Sequence, residues 1–331
     1  MLTLAVAGAG SLAQTIETIQ PTAAQGTAAQ GQPASTGTAA ANPLQIALLK
    51  WYKANTTTNF AVGNEPYGVA FDGANIWVAN FDDGTVSKLR ANDGTVLGTF
   101  TIGTGVEPYG VTYDGANIWV SNLAAATVVK LQGSTGKILG TFSVGNPSNP
   151  PGWMAFDGKN IWIPNGNAVT ELRASDGKAL GTFPLGSGTL AAAFDGANVW
   201  VTNTGSGTVS KVRASDGTVL GTYSVGSRPT GIAFDGASMW IANRNDNTVS
   251  EVRASDGKTL GTFTVPALPY GIAFDGANMW VTSAKGVAEL RASDGVTLGV
   301  FQTPSLNTIG VAFDGANVWV AGLNKNIVSK F

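Results

Sequence analysis

Seven aspartates are the most conspicuous candidates for chemistry in this chain. Asp72, Asp114, Asp157, Asp195, Asp235, Asp275 and Asp314 each stand in a string close to Phe-Asp-Gly-Ala-Asn-Ile-Trp. An array of carboxylates can ligate cations or move protons. One Asp per copy, always at the same turn, is better suited to a turn cap whose side chain accepts from backbone N–H groups. The rest of the acid–base inventory is thin. The 331 residues include no His and no Cys. The commonest general base and transition-metal ligand is therefore missing, as are thiolate nucleophiles, disulfides, iron–sulfur clusters and thiolate zinc sites. Composition alone thus excludes most familiar enzyme mechanisms.

The other chemical candidates are weaker. Asp82-Asp83-Gly84 and Asn245-Asp246-Asn247 carry oxygen ligands suited to Ca²⁺, but neither has the spacing of a calcium loop. Gly103-Thr104-Gly105 has phosphate-loop composition without the helix and Lys-Ser or Lys-Thr that such a loop requires. No cofactor is implied. Arg90, Arg173, Arg213, Arg253 and Arg291 recur beside Asp-Gly turns and spread around the molecule, which suits a solvated, salt-bridged face. With 19 Lys+Arg against 21 Asp+Glu, the net charge of −2 leaves no footprint for nucleic acid or an anionic membrane.

The elements that position these residues are repeats. The seven Asp are spaced 42, 43, 38, 40, 40 and 39 residues apart. A period near 40 predicts an all-β, seven-bladed β-propeller of four-stranded antiparallel blades. In the first repeat, Gly68–Phe71 reads as strand a, Ile76–Ala79 as b, Thr85–Arg90 as c and Val96–Ile102 as d, with Asp-Gly turns between a and b and between c and d. Trp77, Trp119, Trp162, Trp200, Trp240, Trp280 and Trp319 fall mid-strand in b and should fill the wedges between sheets. The C-terminal Val328–Phe331 matches strand c, so the last repeat lacks its outer strand. Asn59–Gly63 matches strand d and should supply it, closing the ring.

Residues 1–43 have a different composition from the repeats, so the propeller domain is expected to span 44–331. Met1–Ala13 is small and apolar, shorter than the roughly 20 residues of a membrane span. It reads as the core and cleavage region of an export signal without a basic leader, and no Cys follows it to carry a lipid. Residues 14–43, rich in Ala, Thr, Gln and Gly, read as a flexible linker. Leu44–Ala54 suits a short lead-in helix. Asn55-Thr56-Thr57 is a formal glycosylation sequon that carries little information.

Trp77-Val78-Ala79-Asn80, Trp119-Val120-Ser121-Asn122, Trp200-Val201-Thr202-Asn203 and Trp240-Ile241-Ala242-Asn243 resemble the Tyr-Val-Thr-Asn signature of YVTN-repeat β-propellers, a group similar to NHL-type and streptogramin-lyase-like propellers. The likeness spans about residues 58–331 and weakens at Trp280-Val281-Thr282-Ser283 and Trp319-Val320-Ala321-Gly322. It speaks for fold more than for function. A streptogramin-lyase-like mechanism, as the resemblance implies, uses a histidine base and a magnesium ion held by acidic residues. A chain without His cannot carry that mechanism.

The repeats disagree mainly in the b–c and d–a loops, which share one face of a propeller. The residue before strand a varies as Tyr67, Tyr109, Gly152, Leu190, Thr230, Tyr270 and Ile309, and supplies no carboxylate to the channel. Trp153 stands where the other copies have Gly or Ala. Tyr67, Tyr109, Trp153 and Tyr270, with Arg228, Arg244, Glu65, Glu107, Asp82 and Asp83, form the candidate binding rim. The sequence thus reads as a non-enzymatic, extracytoplasmic (secreted, periplasmic or cell-surface) scaffold that binds a protein or glycan partner through this variable face. A self-associating surface-layer or filament component is the first alternative. A His-independent, metal-assisted lyase or hydrolase is the second.

Overall fold

Turn chemistry organises each repeat. In the first, strands Pro66–Phe71, Asn75–Asn80, Thr85–Arg90 and Val96–Thr101 pair antiparallel in that order from the inside outwards. Asp72 Oδ1 accepts from the backbone N–H of Ala74 (2.9 Å) and Asn75 (2.6 Å), closing the a–b turn. Gly73 and Gly94 supply the positive φ, 96° and 72°, that these tight turns need. The computed structural model describes residues 58–103 and 105–331. The tail, the domain boundary at 43/44, the lead-in helix and the sequon lie outside the described residues.

The core forms between consecutive repeats. Strand b is buried on both faces, whereas strand d alternates between exposed and half-buried positions. Six of the seven repeat tryptophans are fully buried: Trp77, Trp119, Trp162, Trp200, Trp240 and Trp319. Each of the seven donates its indole N–H to the turn Asp five residues earlier, at 2.7–2.8 Å. The Asp is thus a turn cap on one oxygen and a tryptophan anchor on the other, which satisfies a donor that burial would otherwise leave unpaired. An aromatic ring from an outer strand packs on each Trp at 5.3–5.6 Å, as Phe100 does on Trp77, with Phe60, Phe142, Phe183, Tyr223, Phe263 and Phe301 as its counterparts.

The expectation of seven separate blades is corrected by the hydrogen bonding. The described strands form six sheets, five of four strands and one of six. The six-stranded sheet carries the third and fourth repeats together. Its strand Asn160–Arg173 runs through what should be a b–c loop, and Ala179–Phe194 runs from the outer edge of one repeat to the inner edge of the next. The two repeats are joined at Thr189. Thr189 pairs with Gly166 on one side and Asn203 on the other, and its hydroxyl donates to the carbonyls of Gly166 (3.1 Å) and Ala168 (2.9 Å). The inner strand of the third repeat is reduced to Ala155–Phe156.

Both ends of the described chain enter one sheet. Thr58–Ala61 pairs antiparallel with the C-terminal strand Ile327–Lys330, in the register Thr58↔Lys330 to Ala61↔Ile327. Phe60 stacks on Trp319 of the last repeat and lies against Gly94 of the first, where a Cβ would collide with its ring. Val69, Ile76, Val78 and Leu89 of the first repeat pack with Trp319, Ala321 and Val328 of the last.

Candidate functional site

Inner strands set the geometry of the channel mouth. Gly68, Gly231, Gly271 and Gly310 lie so close to the next inner strand that a Cβ would strike, respectively, the carbonyls of Tyr109, Tyr270, Ile309 and Tyr67. Glycine here permits close approach of backbones and draws the strands in around a narrow axis. What is left of the channel is a cavity of about 140 Å³, lined by these glycines with Trp153, Ala191 and apolar neighbours.

Four candidate rim residues converge over this cavity. Tyr67 meets Phe81 and Tyr109 at ring-centroid distances of 4.9 and 5.1 Å. Tyr109 stacks on Trp153 at 5.3 Å with planes 11° apart, and Trp153 meets Tyr270 edge-on at 5.1 Å. The hydroxyls of Tyr109 and Tyr270, 161 residues apart in sequence, share a hydrogen bond of 2.6 Å. The Arg244 guanidinium lies 4.8 Å from the Tyr270 ring centre. Trp153 occupies the glycine position of its repeat, and its backbone bonds to the next inner strand through Leu190 O (2.8 Å) and Ala192 N (2.9 Å).

The cluster has a buried member and exposed ones. Tyr109 is only 6% exposed, while Tyr67, Trp153, Tyr270 and Arg244 are half-buried and face the mouth. Burial, and next the neighbouring Tyr270, push the Tyr109 hydroxyl well above the usual phenol range. Burial likewise pushes Tyr67 up to about 12, with Tyr270 and Glu65 acting in the same direction. Both rings therefore stay neutral at any physiological pH. They offer hydrogen-bonding and stacking surfaces to the channel mouth.

The charged candidates stand around this cluster in different ways. Glu65 and Arg228 have left-handed φ of 48° and 54°, which aim their carbonyls at the b–c loops: Glu65 O accepts from Phe81 N (2.9 Å) and Arg228 O from Arg244 N (3.1 Å). Glu107 O accepts from Leu123 N at 3.0 Å. Asp83 is engaged structurally, accepting from Asn64 N (2.7 Å) and Asn64 Nδ2 (2.8 Å). Asp246 similarly accepts from Ser227 N at 2.6 Å. Asp82 is exposed. Among the described residues no group of three or more acidic side chains is placed to hold a metal ion.

A groove missed by sequence reasoning opens beside the cluster. It encloses about 360 Å³ between the second, third and fourth repeats, with Tyr109 among its wall residues. Ser148, Asn149, Asn167, Ser187 and Thr204 contribute hydrogen-bonding groups to walls that include no charged residue. The clue in the sequence was the polar, Pro-containing loop Gly145–Pro151, longer than its counterparts. On the opposite face the five arginines pair locally with the Asp three residues on, at 2.8–3.5 Å, and are spread among the repeats.

No protein-family model matches the chain, so the YVTN-repeat resemblance has no such support, and no curated protein matches it. Solved structures do. A catalytically inactive histidine-to-alanine variant of virginiamycin B lyase from Staphylococcus aureus, with quinupristin, superposes with a TM-score of 0.71 at 20% identity, covering 83% of this chain and 98% of that one. A streptogramin B lyase gives 0.71 at 18% identity over 83% and 96%. The WD40 β-propeller domain of Doa1 gives 0.70 at 14% identity over 83% and 95%. At such identities the likeness establishes the β-propeller fold alone.

Proposed function

We propose that this chain is a non-catalytic, extracytoplasmic propeller scaffold that holds a carbohydrate-like partner on its variable face, across the channel mouth and the uncharged groove beside it. The observation that carries this reading is the cross-channel cluster Tyr67–Tyr109–Trp153–Tyr270, which leaves three half-buried aromatic faces beside a groove of Asn, Ser and Thr side chains. Aromatic faces stack on the C–H faces of sugar rings, and neutral amides and hydroxyls match sugar hydroxyls. A strongly charged peptide finds little to pair with in that groove. The apolar run Met1–Ala13 supports the exported location. Binding of a neutral-glycan array by the wild-type protein, weakened by Tyr67→Ala and by Arg244→Ala, tests the reading. An array that stays blank overturns it.

The structural likeness to lyases raises catalysis as a rival. The lyase variant named as catalytically inactive has lost a histidine, and this chain has none. Quinupristin incubated with the protein and Mg²⁺ should remain intact. Ring opening above background would contradict the non-catalytic reading.

One observation favours self-assembly as a second reading. Leu97, Leu139, Leu180, Leu220, Leu260 and Leu298, at equivalent outer-strand positions, are 40–49% exposed. Outer strands that expose both apolar side chains and unpaired backbone can join copies edge to edge. Sedimentation velocity across a range of concentrations separates a monomeric binder from a layer or filament subunit.

A further inference from the structure

The face opposite the variable loops carries a cation site that four repeats fill for themselves. Lys88, Lys130, Lys211 and Lys330 sit at one strand-c position, each ammonium 4.9–5.2 Å from the ring centre of its own repeat's Trp. Each reaches into the next repeat and donates to one carbonyl position there: Gly133 (2.7 Å), Ala174 (2.6 Å), Ala254 (2.6 Å) and Ala91 (2.9 Å). Three repeats have Glu instead: Glu171, Glu251 and Glu289. A carboxylate cannot donate to a carbonyl, and Glu is shorter than Lys, so the ammonium position is left open.

Among the described residues, the junction of the third and fourth repeats is where a groove and an unpartnered buried acceptor coincide beside one of these Glu. A groove of about 980 Å³ opens there, against about 440 Å³ for the equivalent groove that Lys130 enters. Glu171, Asp157 and the turn residues Ala214 and Ser215 line it. Asn160, another wall residue and only 6% exposed, donates its Nδ2 to Glu171 Oε1 at 2.7 Å. Its Oδ1 has no partner, a costly state for a buried acceptor. The corresponding residues beside Glu251 and Glu289, Ser238 and Asn278, leave no such orphan among the described residues.

The positive charges nearby do not fill the position. Arg213 is paired with Asp216 at 2.8 Å, and Lys159 lies exposed on the a–b turn. Burial, and next Asp157, raise the Glu171 carboxyl above its ordinary range, with Lys159 opposing; a docked cation would relieve that cost.

We propose that this groove binds a primary alkylammonium group, held between the Glu171 carboxylate and the carbonyls of Ala214 and Ser215. The group comes either from a free amine or from a lysine side chain of a partner protein. The inference is independent of the glycan reading, which concerns the other face.

The test is an NMR titration of the wild-type chain with n-butylammonium and with the peptide acetyl-Gly-Lys-Gly-amide, following the side-chain amide of Asn160. Saturable shifts with both probes point to free amines as sufficient ligands; shifts with the peptide alone point to a partner lysine. Glu171→Lys, which installs the residue that four repeats already carry, should fill the groove internally and weaken binding at least tenfold. Glu171→Gln should do likewise and serves if the lysine variant fails to fold. Tetramethylammonium, which has no N–H to donate, should bind at least tenfold more weakly. Absence of shifts with both probes, undiminished binding by the variants, or equal binding of tetramethylammonium each overturns the proposal.

Discussion

Replacing Phe60 by Ala tests whether the N-terminal strand closes the ring in solution, because the chain contains its own control. Phe60 stacks on Trp319 at 5.4 Å and covers Gly94 of the first repeat. Phe100, in the second blade junction, stacks on Trp77 at 5.6 Å and covers Gly136 of the second repeat in the same way. Truncating a fully buried Phe costs about 3–5 kcal/mol. Both rings are half-buried, which halves that figure to roughly 2 kcal/mol, and the lost stacking adds about 0.5–1 kcal/mol. Each variant should therefore lose about 2–3 kcal/mol in urea unfolding followed by tryptophan fluorescence. The two losses should agree within about 1 kcal/mol. A silent Phe60→Ala beside a costly Phe100→Ala would refute the closure. It would mean that the first strand is frayed and the last sheet has an open edge.

Two further outcomes follow from burial and titration. Tyr109→Ala should destabilise the fold by about 3–5 kcal/mol because its ring is buried, whereas half-buried Tyr67→Ala should cost clearly less; thermal melts compare them. In Asp72, Asp195 and Asp314 burial works upward, but the bonds from Trp, Asn and backbone N–H groups prevail and hold the carboxyls below their ordinary 3.8. Their contribution is complete above about pH 4 and should fade as pH falls through the lowered values. Glu251, raised by burial above its ordinary 4.5, acts oppositely: its penalty grows as pH rises from about 4.5, so Glu251→Gln should flatten that part of the stability profile.

The local logic of the fold was legible because each repeat spells it out. Asp-Gly pairs marked the turns, and the Trp positions marked the core, since both needs are met within a few residues. Sheet count was not legible in the same way. It depends on whether hydrogen bonding continues through the connections around Gly166 and Thr189, a non-local outcome whose trace was the shortest spacing, 38 residues between Asp157 and Asp195. The rim aromatics could be picked out as departures from the repeat. That Tyr109 and Tyr270 would join hydroxyls across the channel could not, because curvature of the whole ring brings them together. Asp83 reads as a free acid in sequence because its partner, Asn64, lies 19 residues away in a different loop. The Lys or Glu choice on strand c was visible in every repeat, but its meaning required the neighbouring carbonyl.

The most direct test of the variable face as the binding surface is a calorimetric comparison against the best oligosaccharide from the neutral-glycan array. Tyr67→Ala and Arg244→Ala should each weaken binding by about 1–2 kcal/mol, roughly five- to thirtyfold. Glu251→Gln, on the opposite face, should bind as the wild type does. Equal affinity in all four proteins, or a loss confined to Glu251→Gln, would contradict the account.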